Sequence, residues 1–303
     1  MDVPTQPATP KLRSDYRKIA DIYGDKRSGE RISAHYIRER RLSDEMRRST
    51  LAAREAGLYG ELYDELIGSI EDHPRKAVNE GAAPAHSAGY IDRQAALVLH
   101  HVKKDDVFLD LGGGDCLIAL TVAPHVTKAL VVDVSDALVP ENHGVPNFEF
   151  AKTKGVDIPL ATESVSFIYS NQVMEHLHPE DAIAQLRELH RVLKPGGRYL
   201  IRTPSRISGP HDVSMYFDEV ARGTHMKEYT YASLSEVLRD AGFVRPRILI
   251  APRAYRLGSL PRSVALIAEA LFGAVPRSLH TYVCRSKIGR ALLGITMIVE
   301  KPR

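Results

Sequence analysis

A run of three glycines is the first feature of the sequence that could support chemistry. Gly112, Gly113 and Gly114 follow the apolar stretch "VFLDL", in which Asp110 is the only charged residue. Because glycine has no Cβ atom, a ligand can lie directly against the backbone of such a turn. The pattern predicts a ligand-binding loop at the end of a buried strand, beside a carboxylate.

The spacing within this loop separates two kinds of nucleoside ligand. The dinucleotide pattern G-x-G-x-x-G, counted from Gly112, places Leu117 where its third glycine belongs. The pattern acid-x-Gly-x-Gly-x-Gly fits better, with Asp110, Gly112 and Gly114 in place and Cys116 at its last position. The spacing therefore favours a ligand without a pyrophosphate.

A second carboxylate supports this interpretation. Asp133 and Val134 lie near the end of the next apolar run, "ALVVDVS". An acid at the end of the second strand can accept hydrogen bonds from both hydroxyl groups of a ribose. We therefore predict that Asp133 and Val134 contact the ligand.

Further polar side chains follow the apolar run "SVSFIYSN". Asn171 ends this run and Gln172 comes next, and we expect both over the same crevice because parallel strands end at one edge of a sheet. Glu175, His176 and His178 come directly after them. An imidazole, with a pKa of about 6.5, is suited to removing a proton near neutral pH.

The same residues could also hold a metal ion. Glu175, His176 and His178, joined by His211 and Asp212, offer suitable ligand atoms. The sequence contains neither H-E-x-x-H nor a pair of cysteines at zinc-binding spacing. We therefore predict no metal site.

The elements that must position these residues alternate between strand and helix. Apolar runs of strand length are separated by amphipathic stretches such as "PEDAIAQLRELHRVL" and "YASLSEVLRDAGF". This alternation predicts an α/β fold, namely a Rossmann-like, doubly wound, mostly parallel sheet with helices on both faces. We expect an N-terminal helical extension, and a helical insertion before the last strand, "GITMIVEKP".

Composition divides the chain into three parts. We assign residues 1–88 to a tail and helical cap that end in the linker "HPRKAVNEGAAPAHSAG", residues 89–254 to the ligand-binding core, and residues 255–303 to the insertion and last strand. Residues 260–292 combine an apolar helical pattern with basic residues, which suits peripheral contact with an anionic membrane or a homodimer contact. A packed helix with a solvated basic edge is the alternative.

Four segments of the core resemble those of class I S-adenosylmethionine-dependent methyltransferases of the small-molecule type. They are "FLDLGGGD", "VVDVS", "SVSFIYSNQVMEHLHPED" and "LHRVLKPGGRYLIRTP", in the family's order. The resemblance implies that the cofactor is S-adenosyl-L-methionine, that the glycine loop packs against its methionine part, and that Asp133 holds its ribose. It also implies that the loop after the third strand meets the adenine.

That adenine loop departs from the family's usual pattern. Family members often carry an acid there, whereas this chain has Lys152, Thr153 and Lys154. The resemblance therefore leaves two candidates for the adenine contact, the backbone of residues 154–156, including Gly155 and Val156, or the side chain of Asp157.

The resemblance also suggests a general base. Similar methyltransferases that modify sugars or natural-product hydroxyl groups place a histidine just after the fourth strand, so His176 or His178 is expected to be catalytic. A histidine before Pro179 can instead cap the helix that begins there. The aromatic and polar loop of residues 204–230 is expected to cover the acceptor.

The function expected from the resemblance is methyl transfer to an oxygen of a small acceptor such as a sugar, a glycolipid or a secondary metabolite. The alternatives are a non-catalytic methyltransferase-like binding subunit and an NAD(P)-dependent oxidoreductase. A formal net charge of only +3 and the lack of a basic block interleaved with aromatics argue against nucleic acid as a partner. Two cysteines, and an N-terminus unlike a signal peptide, favour the cytoplasm.

Overall fold

The central sheet contains eight strands. The computed structural model describes residues 10–69, 85–141, 144–251 and 258–303. Within these residues the strands are β1 (Val107–Leu111), β2 (Lys128–Asp133), β3 (Phe148–Lys152), β4 (Val165–Asn171), β5 (Leu193–Thr203), β6 (Val244–Ile250), β7 (Gly258–Leu260) and β8 (Ile295–Glu300). Their order across the sheet is β3-β2-β1-β4-β5-β8-β6-β7.

Most of the sheet is parallel. Strands β1 to β5 run in the same direction, whereas β8 is antiparallel to both β5 and β6. The chain crosses from β1 to β2 and β3 on one side, and then returns to β4 and β5 on the other. The strand order therefore reverses between β1 and β4, where open α/β sheets bind their ligands.

Helices lie before the sheet, between its strands and ahead of its last strand. They are α1 (Tyr16–Tyr23), α2 (Gly29–Arg48), α3 (Leu51–Ala56), α4 (Leu58–Ser69), α5 (Ala85–Leu99), α6 (Leu117–Val122), α7 (Pro179–Val192), α8 (Tyr231–Asp240), α9 (Arg262–Gly273), α10 (Arg277–Val283) and α11 (Lys287–Leu293). Helices α1–α4 are the N-terminal extension, and α9–α11 are the insertion before β8. None of the helices in the described ranges has the length and apolar composition needed to cross a membrane.

Both faces of the sheet are covered. Successive strand residues point to opposite faces, and Phe108 and Leu109 of β1 accordingly belong to two different core clusters. Helices α5 and α6 contribute to the cluster around Phe108, whereas α2, α4, α7 and α8 contribute to the cluster around Leu109. The predicted doubly wound α/β fold is thus confirmed.

Some local features differ from the sequence expectations, and one segment falls mostly outside the described residues. The "KPGG" stretch, whose proline and glycines are typical of a turn, lies inside the bounds of β5, where Gly196 has a positive φ of 74°. The short strand β7, which pairs with β6, was not predicted. The proposed linker "HPRKAVNEGAAPAHSAG" falls largely outside the described residues, apart from the start of α5.

Candidate functional site

The glycine loop explains why a cysteine can occupy the last position of its pattern. Gly112, Gly114 and Cys116 all have left-handed backbone, with φ of 68°, 55° and 61°. Left-handed backbone costs a residue with a side chain roughly 1–2 kcal/mol, and Cys116 adopts it with a small, fully buried side chain. Cys116, at the third position of the pattern, thus adopts the left-handed backbone that is usual for glycine.

Close packing behind the loop requires two of its glycines. A Cβ atom on Gly112 would lie 2.5 Å from Cγ2 of Val173, and one on Gly113 would lie 2.9 Å from Cγ1 of Val131. Asp110 is 2% exposed, and its Oδ2 would lie 3.2 Å from a Cβ atom on Gly113. Asp110 therefore packs against the Gly113 backbone on the core side of the loop.

Asp133 is held in a fixed orientation at the end of β2. Its Oδ2 accepts the Gly114 N–H at 2.8 Å, and its Oδ1 accepts the Ser135 N–H at 3.1 Å. A carboxylate has about four lone-pair sites, and Asp133 is also among the residues that line a cavity at the ends of the strands. The side chain that binds the loop thus also faces the ligand site.

The cavity at this edge of the sheet encloses about 350 Å³. Small-molecule sites span about 300–1,000 Å³. Residues at or just after the strand ends form its floor, among them Leu111, Gly112, Asp133, Val134, Gln172 and Val173. Helix α4 forms its roof through Tyr59, Leu62, Tyr63 and Leu66. A larger, open groove of about 940 Å³ on α2 and α3 includes none of the strand-end residues.

Besides Asp110, Gly113 and Gly114, three further residues that were predicted to bind the cofactor or to be catalytic do not line this cavity. Asn171 is buried and donates from Nδ2 to the Tyr90 hydroxyl at 2.7 Å. Val156 is half-buried and does not line the cavity, although Gly155 does. His178 precedes α7 and accepts the Glu180 N–H at 3.4 Å, which is the capping role considered as its alternative.

Gln185 of α7 is a cavity residue that the sequence did not reveal. Its side chain is 3% exposed, its Nε2 donates to the Gly155 carbonyl at 2.6 Å, and its Oε1 has no hydrogen-bond partner within the described residues. The Nε2 bond fixes which side-chain atom is the oxygen. Asp157, by contrast, accepts hydrogen bonds from Thr153 and Lys154.

The sequence contained one indication of Gln185, namely a polar residue on the face of α7 that is otherwise apolar. Ala182, Leu186 and Leu189 are its buried neighbours on α7. A buried acceptor without a partner is costly, so its oxygen is suited to a ligand amino group.

The N-terminal helices pack tightly onto the core beside the cavity. A Cβ atom on Gly60 would lie 2.7 Å from the Val134 carbonyl oxygen, so α4 contacts the backbone after β2 directly. The Ser135 hydroxyl donates to Asp64 of the same helix. Gly155 is equally close to α4, because a Cβ atom there would lie 2.4 Å from Cδ2 of Tyr59. The cap is therefore part of the site.

A buried ion pair joins this cap to α7. Arg54 is 2% exposed and Asp181 is also 2% exposed. Nε of Arg54 lies 2.7 Å from Oδ2 of Asp181, and its Nη2 lies 3.1 Å from Oδ1, which is bidentate geometry. The Tyr59 hydroxyl donates to the same carboxylate at 2.6 Å and accepts the His178 N–H at 3.0 Å.

His176 lines the same cavity as Thr153 and Gly155 of the loop after β3. It ends the short 3₁₀ helix Met174–His176 after β4, and its exposed side chain lines the cavity. Nδ1 of His176 lies 3.2 Å from the Thr224 carbonyl oxygen. Because a carbonyl can only accept, Nδ1 carries the proton and Nε2 of the neutral ring has the lone pair.

A buried acid–base cluster lies beside His176. The rings of His176 and His225 meet edge to face at 4.9 Å between centroids, and Nδ1 of His225 lies 2.8 Å from Oε1 of Glu228. Burial lowers the pKa of His225, but the hydrogen bond to Glu228 and the Glu175 and Asp212 carboxylates outweigh it and raise that pKa. Burial also raises the pKa of Glu175 to about 7, although His225 opposes that shift.

The structure groups Glu175 and His176 with His225, whereas the sequence suggested His178, His211 and Asp212 as their partners in a metal site. The possible ligand atoms of the three lie within 4.8 Å of one another. The surrounding carboxylates raise the pKa of His225, so its protonated form is favoured at this position. We therefore interpret the cluster as hydrogen-bonding and acid–base groups.

The loop of residues 204–230 is packed into the core. Tyr216 and Tyr229 are 2% and 0% exposed, and Phe217 stacks on Tyr36 with 4.1 Å between ring centroids. The aromatic side chains of this loop thus pack in the core, whereas they were expected to cover the acceptor. Thr224 and Met226 of the same loop do line the cavity.

Replacement of Glu175 by glutamine is expected to change how stability depends on pH. Between about pH 4.5 and 7 the folded protein holds a proton that the unfolded chain has released, so the wild type loses stability as the pH rises. The variant lacks this pH-dependent loss of stability, which amounts to about 1.4 kcal/mol per unit of pKa difference between the folded and unfolded states. In urea unfolding at pH 5, 6, 7 and 8, the stability of the variant relative to the wild type should increase as the pH rises. The exposed Glu61→Gln control should show no such increase. A constant difference across this range would contradict the assignment.

The sheet order, the bare loop and the carboxylate after β2 define a class I methyltransferase site. Residues 86–244, just over half of the chain, match the model of the family described as "Methyltransferase domain". The chain therefore belongs to this methyltransferase family, whose cofactor here is S-adenosylmethionine. The bare loop, the Asp133 carboxylate and the buried Gln185 oxygen fit an adenosyl group.

Curated relatives support the same class. A probable S-adenosylmethionine-dependent methyltransferase of Mycolicibacterium smegmatis is 31% identical over 136 residues, which cover 45% of this chain and 51% of the relative. The ubiquinone biosynthesis O-methyltransferase of Ruegeria pomeroyi is 27% identical over 147 residues, which cover 44% and 58% of the two chains. The matches thus span about half the length of these curated relatives.

A solved structure shows the same fold. Phosphoethanolamine N-methyltransferase 1 of Haemonchus contortus aligns with a TM-score of 0.54 and 13% identity, over 84% of this chain and 50% of that one. At this identity the similarity establishes the fold alone.

Replacement of Asp133 by alanine is expected to weaken binding of S-adenosylhomocysteine by about 10- to 150-fold. The cofactor ribose would lose a charged acceptor, which costs roughly 1.5–3 kcal/mol. Asp136→Ala is the matched control because Asp136 is exposed in the same loop and pairs with Lys152 at 2.9 Å. Calorimetric titration of both variants measures the effect, and equal affinities would exclude the ribose contact.

Proposed function

We propose that the protein transfers the methyl group of S-adenosylmethionine to an oxygen of a small acceptor, such as a sugar, a glycolipid or a secondary metabolite. The observation that carries this proposal is the single cavity that Asp133 and Gly112 share with His176. This shared cavity supports the proposal because it offers groups suited to the cofactor and an imidazole suited to act as a base in one continuous space. The relative from Ruegeria pomeroyi, an O-methyltransferase by name, supports oxygen as the acceptor atom.

The residues of this chain have separate tasks in that reaction. When bound, the cofactor supplies an electrophilic methyl group on a sulfonium. Asp133 holds the ribose, and Gln185 accepts a hydrogen bond from the adenine amino group. His176 removes the acceptor hydroxyl proton through Nε2 while the Thr224 carbonyl fixes its tautomer. Nε2 of His176 would keep the proton of the acceptor hydroxyl group, whose oxygen would take the methyl group that the cofactor supplies.

The acceptor end of the cavity has mixed character. Leu42, Met46 and Met226 supply apolar surface, whereas Glu39 and Ser43 supply polar groups. Glu39 is 7% exposed and pairs with His35 at 2.8 Å. This lining suits an acceptor that has both hydroxyl groups and an apolar part.

Transfer of an isotope-labelled methyl group tests the proposal. Purified protein and labelled S-adenosylmethionine would be incubated with cell extract and with panels of sugars, glycolipids and phenols, followed by mass spectrometry. A labelled methyl ether formed by the wild type but not by Asp133→Ala would support it. Cofactor binding without any labelled product would indicate the non-catalytic binding subunit. Label on nitrogen or carbon would exclude oxygen as the acceptor atom.

A further inference from the structure

The outer face of α9 is apolar. Val264, Ile267 and Leu271 are 44%, 58% and 67% exposed. Their spacing of three and four residues places them on one side of the helix. Ala265 and Glu269, on the other side, are buried against the core. The helix therefore has apolar residues both where it packs and where it faces solvent.

The next two helices extend this exposed set. Leu279 and Tyr282 of α10 are 50% and 57% exposed, and Ile288 of α11 is 71% exposed. The Cys284 thiol lies 3.6 Å from the Phe272 carbonyl and so joins the end of α10 to α9. We call the following residues the C-terminal apolar surface: Val264, Ile267, Leu271, Leu279, Tyr282 and Ile288. They are half of the twelve large apolar residues that are exposed in the described ranges, which makes them a concentration and not scattered surface residues.

The charge of the same segment is strongly positive. Residues 261–294 contain five arginine or lysine residues and one acid, a net charge of +4 against +3 for the whole chain. The acid, Glu269, is buried, and its carboxylate accepts the N–H groups of Tyr231 and Ala232. Of the cations, Arg285 is buried, whereas Arg262 and Lys287 are exposed. The charge that this segment presents to solvent is therefore cationic.

We propose that the C-terminal apolar surface docks on an anionic membrane surface. Exposed apolar side chains in a segment that also exposes Arg262 and Lys287 match the boundary between acyl chains and anionic headgroups. A second copy of the chain fits less well, because a two-fold contact would place the surface, with its own cations, against itself. Charge complementarity thus selects the lipid as the occupant.

The insertion is also connected to the acceptor side of the cavity. His280 donates from Nε2 to the Ile207 carbonyl at 2.6 Å, and Arg285 donates to the Pro210 carbonyl at 3.0 Å. The loop that receives both bonds also supplies Thr224 to the cavity. A docked insertion would therefore hold the acceptor loop near the bilayer, as a glycolipid acceptor would require.

Co-sedimentation with vesicles tests the docking independently of methyl transfer. The full-length protein is expected to sediment with vesicles of phosphatidylcholine mixed with phosphatidylglycerol, and to remain in solution with phosphatidylcholine alone. Removing two inserted apolar side chains in Ile267→Ser/Leu271→Ser is expected to reduce vesicle binding at least tenfold, because their burial among the acyl chains is lost. Lys287→Glu should also weaken binding, and added salt should weaken it further.

The matched control is Ile37→Ser/Leu51→Ser, since these residues are 47% and 54% exposed on the N-terminal helices. This variant should bind anionic vesicles like the wild type. Circular dichroism shows whether each variant stays folded. The proposal is overturned if the wild type ignores anionic vesicles, if both double variants bind equally, or if Ile267→Ser/Leu271→Ser only abolishes self-association.

Discussion

Replacement of His176 by alanine is expected to lower the rate of methyl transfer by about 10²- to 10⁴-fold, the usual contribution of a general base. Affinity for S-adenosylhomocysteine should stay at the wild-type value, because Asp133 and the glycine loop remain intact. Single-turnover transfer from a labelled methyl donor gives the rate, and calorimetry gives the affinity. A loss of both together would indicate that His176 shapes the cavity instead.

His178→Ala is the matched control for this prediction. The sequence offered both histidines as the base, and they are only two residues apart. The structure gives His178 a capping contact with Glu180 and no place in the cavity lining. We expect His178→Ala to keep the wild-type rate and to lose about 0.5–2 kcal/mol of stability, as a lost helix cap does. A slow His178 variant beside a fast His176 variant would reverse the assignment.

The floor of the site was predictable because its residues directly follow the apolar runs that form the strands. In a parallel sheet each strand ends at the same edge, so the residues after the apolar runs must converge there. Gly112, Asp133 and Gln172 were predicted on this basis, and all three line the cavity. Sequence order alone did not distinguish residues facing the cavity from those behind the loop, such as Asp110.

The roof and the adenine end were not predictable in the same way. The contact between Gly60 and Val134 joins residues that are distant in sequence, and amphipathic periodicity shows that a helix buries one face without showing what covers it. Gln185 was missed because a single polar residue hardly changes the apolar periodicity of α7. His225 was missed for a different reason: its carboxylate neighbours come from separate segments of the chain, and only the fold brings them together.

Arg54 illustrates this limit and leads to the second large effect. On sequence alone it belongs to a charged, solvated stretch of the cap, yet it is 2% exposed and pairs with Asp181 across 127 positions. Arg54→Ala is expected to destabilise the protein by about 3–5 kcal/mol, because it leaves a buried carboxylate without its cation. Typical domains are stable by only 5–15 kcal/mol, so the unfolding midpoint in urea should fall clearly.

The loss should also extend to the cofactor, since the pair fixes α3 and α4 over the cavity. We expect Arg54→Ala to weaken binding of S-adenosylhomocysteine although Arg54 does not line the cavity. Arg41→Ala is the matched control, because Arg41 also pairs with a carboxylate on another helix, Glu65 of α4, but on an exposed surface. Exposed pairs contribute about 0–1 kcal/mol, so this control should unfold and bind nearly as the wild type does. If both variants lose the same small stability and no affinity, the buried pair does not hold the cap on the core.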